Sequence, residues 1–194
     1  MTHPPVVTSP EHQFINRLAR LARGQLADLR RSLSDDRPGD STPFLEGLIL
    51  RSGLQNRNRQ GVYLTASLYA LIERPRGGQA DPPDDRQPVP HGPSLGFLLG
   101  TLYRDQQERP SVERRFLALL DADADALPYQ LRQVVSLLKA SGLKPDWVRL
   151  LRDVCGWDTR WGAQIRRQWA NDFYRAGQAG SPPSAGLLDA GEAG

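Results

Sequence analysis

Six prolines and three glycines fall within residues 75–93, PRGGQADPPDDRQPVPHGP, and this run constrains the chain more than any other feature. Proline fixes φ and has no N–H to donate, so such a run neither continues a helix nor builds a core. It is read as a mobile linker or long loop between an N-terminal half, residues 10–74, and a C-terminal half, residues 94–177. Residues 178–194 (QAGSPPSAGLLDAGEAG) are also poor in large apolar side chains and are expected to form a disordered tail. With 194 residues and 39% hydrophobic side chains, the chain has enough material for one large domain or two small ones.

Both halves carry apolar residues at helical spacing, and no convincing period-two strand occurs. Phe14, Leu18, Leu21, Leu29 and Leu33 fall within about 100° on one helical projection, with Arg17, Arg20 and Arg31 together on another side. Thr42 and Pro43 resemble an N-cap and first-turn proline opening a short helix through Leu50. A third helix, from about Asn58 to Arg74, is apolar nearly all round and should be the most buried. In the second half Ser94 caps a helix with Leu95, Phe97, Leu98, Leu99 and Leu102, and Ser111 starts another with Val112, Phe116, Leu119 and Leu120. Leu131, Val134, Val135 and Leu138 define a helix that Gly142 ends. Pro145 starts the next, with Trp147, Leu150, Leu151 and Val154 inward. The last helix places Trp161, Ile165, Trp169 and Phe173 at intervals of four. The expected class is all-α: two small bundle halves of about eight helices, packed antiparallel and joined by the Pro/Gly-rich loop.

Catalytic and metal chemistry finds little support. His3, His12 and His91 fall in an unanchored start and the Pro-rich loop, without the rigid support a general base needs. The DADAD run at 121–125 begins like a calcium loop. Ala126 then stands where glycine makes the turn, however, and Arg132 where a bidentate Glu is required. It is read instead as a helix break whose carboxylates favour the next helix's N-terminus. No acid sits in a recognisably apolar pocket. GPSLGFLLG lacks the GK[ST] ending of a phosphate-cradling loop. Cys155, the only cysteine, is expected to pack rather than react. Neither a metal nor a cofactor is expected. No stretch approaches the roughly 18 apolar residues of a membrane span. MTHPPVVTSPEHQF lacks the pattern of a secretion signal, so the chain is expected to be cytoplasmic.

What remains is arginine. Net charge is only +3, but 23 of the 25 basic residues are Arg. A high-GC genome and selection for bidentate phosphate forks both produce that bias. Acidic residues gather in expected loops (Asp35, Asp36; Asp81, Asp84, Asp85; Asp121, Asp123, Asp125), which leaves the helical surfaces more basic than the whole. Arg30, Arg31, Arg57, Arg59, Arg114, Arg115, Arg132, Arg166 and Arg167 lie off the apolar stripes or beside a helix start, where their heads should face solvent. Each alone is equally well explained as part of a solvated face with intrahelical ion pairs. Clusters on several helices could align into a track for a phosphodiester backbone. The Trp and Tyr residues fall at core spacing and fit packing better than base stacking.

Residues 111–174, through ERRFLALLDAD, LPYQLRQVVSLLK, DWVRLLRDV and RRQWANDFY, resemble the C-terminal half of the CasB family in order and spacing. ADLRRSL at 27–33 and GPSLGFLLG at 92–100 resemble family segments too, extending the likeness over most of residues 14–175. The 75–93 insert and Gln133, where some relatives carry a second Arg, depart from the pattern. CasB is the small subunit of the type I-E CRISPR surveillance complex Cascade. The resemblance therefore implies an all-helical, non-catalytic subunit for antiviral defence, commonly present as a pair of copies beside the guide-RNA-bearing backbone subunits and the large subunit. It implies contact with target DNA, including the displaced strand, while the guide RNA supplies sequence. Arg31, Arg57 or Arg59, Arg114, Arg115 and Arg132 are the implied contacts, with Arg30, Arg166 and Arg167 beside them. The rivals are a helical adaptor whose arginines meet acidic protein surfaces and an unrecognised hydrolase.

Overall fold

The computed structural model describes residues 9–33, 43–74 and 92–178. Thr42, His3, His91, residues 75–91, residues 179–194 and the aspartates at 35, 36, 81, 84 and 85 lie outside the described residues. Among the described residues there are nine helices and no strand: α1 Pro10–Leu18, α2 Arg23–Ser32, α3 Pro43–Arg51, α4 Arg59–Ile72, α5 Leu95–Asp105, α6 Pro110–Leu120, α7 Leu127–Ala140, α8 Trp147–Gly156 and α9 Gly162–Gln178. None is long and apolar enough to cross a membrane.

Several helix ends follow local chemistry. Asn58 Oδ1 accepts from Gly61 N at 3.1 Å to open α4, and Ser94 Oγ accepts from Phe97 N at 3.1 Å to open α5. Asp146, one residue after Pro145, accepts from Val148 N and Arg149 N to open α8. Gly142, at φ +71°, closes α7, and Leu143 N reaches back to Leu138 O at 2.9 Å. The second-half helix expected from Ser111 starts one residue earlier, at Pro110. Asp123 Oδ1 takes Ala126 N at 2.8 Å within the DADAD break.

The stripe from Phe14 to Leu33 is not one helix. After Leu18 the chain tightens, with Arg20 N and Leu21 N bonding to Arg17 O and Leu18 O, and Ala22 is extended before α2. Two short helices can follow two different neighbours: α1 lies on α8, and α2 on α4. One straight helix of that length, about 30 Å, could not track both. In consequence Arg17, Arg20 and Arg31 do not share a face.

Gly61 through Ala70, ten successive residues, are buried, so α4 is the central helix as its all-round apolarity predicts. It runs antiparallel to α8, with Gly61 against the Cys155 backbone and Tyr69 meeting Trp147 edge-on at 5.2 Å. One cluster of buried side chains includes Phe14, Leu29 and Leu68 together with Leu99, Leu131, Leu151 and Phe173, joining the helices on both sides of residues 75–91. Gly92 and Pro93, assigned to the linker by composition, border that body: Gly92 N donates to Asp146 Oδ2 at 2.6 Å and Arg149 Nη1 to Gly92 O at 3.2 Å.

Antiparallel packing fails at the tightest interface. Along α5, Gly96 faces Trp169 O and Gly100 faces Phe173 O, so α5 and α9 run in the same direction. A Cβ on either glycine would lie 2.1 or 2.2 Å from those carbonyl oxygens. The glycines of GPSLGFLLG therefore serve backbone-to-backbone helix packing. Phe116 of α6 stacks on Phe173 at 4.2 Å beside this contact.

Candidate nucleic-acid interface

The nine arginines selected from sequence divide by what their heads meet. Arg30, Arg132 and Arg166 reach main-chain carbonyls. Arg30 Nε donates to Ala70 O and Arg30 Nη2 to Glu73 O at 3.0 Å, capping the end of α4. This corrects the expectation of a solvent-facing Arg30: the last carbonyls of a helix lack intrahelical donors, and α2 carries Arg30 past them. Arg132, though exposed, donates to Leu33 O at 3.1 Å and ties α7 to the end of α2. Arg166 Nη2 lies 3.4 Å from Ala122 O, its guanidinium 4.6 Å from the Trp157 ring, so it too is partly withdrawn from solvent.

Arg31, Arg57 and Arg59 are in ion pairs. Arg31 pairs with Asp28 one turn back while 75% of its side chain stays exposed. Arg59 meets Glu46 at 2.6 Å, whose other oxygen accepts from the Tyr63 hydroxyl. Burial and that carboxylate push the Tyr63 hydroxyl up to about 12. Arg57 meets Glu11 at 2.6 Å; Glu11 is 3% exposed and also faces Arg152 at 3.6 Å. Burial raises the Glu11 carboxyl, but its own N–H, the two guanidinium groups and Ser9 outweigh it, and the net direction is down.

Arg114, Arg115 and Arg167 are exposed and form no ion pair among the described residues. Arg114 stands on the side of α6 opposite the core residues Val112, Phe116 and Leu119, and Arg115 on the flank of that stripe, about 40° to 60° from Leu119 and Val112. Arg167 lies two turns before Tyr174 on α9, and the Tyr174 hydroxyl donates to Glu113 at 3.1 Å. Arg167 thus stands about 10 Å along α9 from that contact, towards the far end of α6, where its neighbour Arg166 reaches Ala122 O. These three are the least encumbered guanidinium groups of the set.

Other sequence expectations meet specific neighbours. His12 belongs to α1 rather than to an unanchored start, with Nδ1 3.0 Å from Ser9 Oγ. Cys155 is buried, its Sγ 3.6 Å from Asn58 O, and burial pushes the thiol up to about 12. Two carboxyls are more enclosed than the sequence suggested. Glu11 is one; Asp153 is the other, raised by burial although it accepts from Trp169 Nε1 at 2.7 Å. Both sit among structural partners. No three His, Cys, Asp or Glu side chains gather as a metal site among the described residues. The helical spacing also misplaced Trp161, which precedes α9 and is 54% exposed.

A family model described as CRISPR-associated protein Cse2 matches residues 25–174. The chain belongs to the CRISPR-associated Cse2 family. It is 34% identical over 179 residues to the CRISPR-associated protein Cse2 of Thermus thermophilus, covering 87% of this chain and 92% of that relative. The crystal structure of M. ruber CasB superposes with a TM-score of 0.70 at 33% identity, covering 87% of this chain and 94% of the other. A chain from a CRISPR RNA-guided surveillance complex has a TM-score of 0.66 at 20% identity, over 87% of this chain and 93% of its own, a likeness of fold alone. The Cse2 match takes in all or most of the helices from α2 to α9, so Arg114, Arg115, Arg132, Arg166 and Arg167 all lie inside the shared region.

Proposed function

We propose that this chain is a non-catalytic, nucleic-acid-binding small subunit of a CRISPR RNA-guided surveillance complex of the type I-E Cascade kind, acting in the cytoplasm in antiviral defence. Its basic helical faces hold target DNA, duplex or displaced strand, and stabilise the R-loop, while the guide RNA supplies sequence. Its partners are the guide RNA, the backbone and large subunits and a second copy of itself. The observation that carries this reading is that Arg114, Arg115 and Arg167 are exposed guanidinium groups with no ion pair among the described residues, on a Cse2-family fold. Arg31, Arg57 and Arg59 offer further contacts elsewhere on the molecule where a phosphate competes with their carboxylates. Arg30, Arg132 and Arg166 contribute mainly by fixing the helices.

The test is fluorescence anisotropy of the full chain with mixed-sequence DNA and RNA across a salt series. Log K should fall linearly with log salt, and scrambled and specific oligonucleotides should differ by less than about tenfold. No binding at low salt would leave the chain as a protein-binding adaptor, and turnover of the oligonucleotide with added divalent metal would make it a hydrolase. Residues 75–91 and 179–194 are proposed as connecting and terminal segments. Replacing 76–91 with a short flexible link, or deleting 178–194, should leave helical circular dichroism and affinity nearly unchanged.

A further inference from the structure

Where α8 turns into α9, Trp161 stands 54% exposed, the only tryptophan of four not buried. The Arg160 guanidinium lies over its ring, 4.9 Å from the centroid. Trp161 and Arg160 border a recess of about 360 Å³ whose other walls include Arg57, Arg152, Cys155 and Ile165. That volume is near the low end of the ~300–1,000 Å³ of small-ligand pockets. Against three arginines stands one buried carboxylate, Glu11, already shared by Arg57 and Arg152, so the recess keeps a cationic excess. Exposing an indole costs free energy that packing would recover, and the chain nonetheless leaves this one open beside an apolar floor and cationic walls.

We propose that this recess is a nucleotide-binding site for single-stranded nucleic acid, in which one base stacks on Trp161 and its phosphate is held by Arg160 and Arg57. The inference rests on the nucleic-acid reading above and adds to it a site on a different part of the molecule, with a non-electrostatic component. Each element has a chemical counterpart: every base has a π face, whatever its identity, and a guanidinium fork matches a phosphate. Ile165 and Cys155 supply the apolar floor that a stacked base covers. An acidic peptide would satisfy the arginines but bring no π face to stack on the indole beside Arg160, which is why a nucleotide is the better fit.

The experiment titrates the full chain with oligothymidylate while following tryptophan emission and anisotropy, with polyglutamate as a charge-matched control. Trp147, Trp157 and Trp169 are buried, so the accessible signal belongs to Trp161. Oligothymidylate should quench the wild type, and W161F should lose that quenching while retaining most of the affinity. W161A should bind about tenfold more weakly with an unchanged slope of log K against log salt, because stacking releases no counterions. Circular dichroism should be unaltered in both, since Trp161 lies outside the helices and is exposed. Binding without quenching, an unweakened W161A, or quenching by polyglutamate alone would overturn the site while leaving the broader reading intact. Absence of any oligonucleotide binding by the wild type would overturn both.

Discussion

Arg30–Arg31 on α2 and Arg114–Arg115 on α6 are the same dipeptide at the same kind of place, the polar margin of an amphipathic helix, yet they do different things. α2 ends beside the end of α4, and Arg30 is drawn onto the carbonyls of Ala70 and Glu73. Neither arginine of α6 reaches a carbonyl or a carboxylate among the described residues, and both remain exposed. A paired arginine in the sequence is therefore not one signal. Its meaning depends on whether an unsatisfied carbonyl comes within reach, and that is a property of the neighbouring helix.

Four substitutions turn this contrast into measurements. Arg30→Ala should have the largest effect on folding. It removes two hydrogen bonds to half-buried carbonyls, about 2 kcal/mol of stability, and lowers Tm by roughly 4–8 °C. Arg31→Ala beside it should change Tm by no more than a degree or two, because its partner Asp28 is an exposed residue of the same helix. Equal losses at the two positions would break the comparison.

Arg57→Ala should come next, through pH. Glu11 titrates lower in the folded chain than in the unfolded one, so its contribution is present above the ordinary Glu value of about 4.3 and is lost as pH falls through the folded value. Without Arg57 the folded value rises, and acid unfolding should begin at higher pH. Arg152 still faces Glu11, so the cost near neutrality should be about 1 kcal/mol, vanishing once Glu11 is protonated in both states. A constant difference at every pH would mean that Arg57 acts by packing.

Arg115→Ala should have the smallest effect on stability, under about 0.5 kcal/mol. Its effect should appear in binding: a salt slope shallower by about 0.7 to 0.9, and close to twice that when combined with Arg114→Ala. An unchanged slope with intact folding would assign the α6 surface to a protein partner.

Particular residues show how far the sequence could be read. Asn58, Ser94 and Gly142 mark helix ends because each acts within a few positions of itself, through a side-chain acceptor or a positive φ. The buried run of α4 was legible because a helix apolar on all sides has nowhere else to go. The break between α1 and α2 was not. Its apolar spacing is continuous through Leu21, and only the separate docking of α1 on α8 and α2 on α4 requires a turn there. Trp161 was misread for a related reason: spacing of four places it on the stripe of Trp169 and Phe173, but α9 begins one residue after it.

By itself, then, the sequence determined the all-helical class, most helix limits, the core positions and the Cse2 family, since all of these depend on local periodicity, caps and motif order. The tertiary structure decided which arginines remain free for a ligand, that α5 and α9 run parallel with Gly96 and Gly100 at the contact, and that one tryptophan stays at the surface. The physical reason is range. Caps and amphipathic stripes act over a turn or two of helix, whereas a guanidinium, an indole or a glycine takes its role from an atom many residues away: Arg30 from Glu73, Arg132 from Leu33, Gly96 from Trp169.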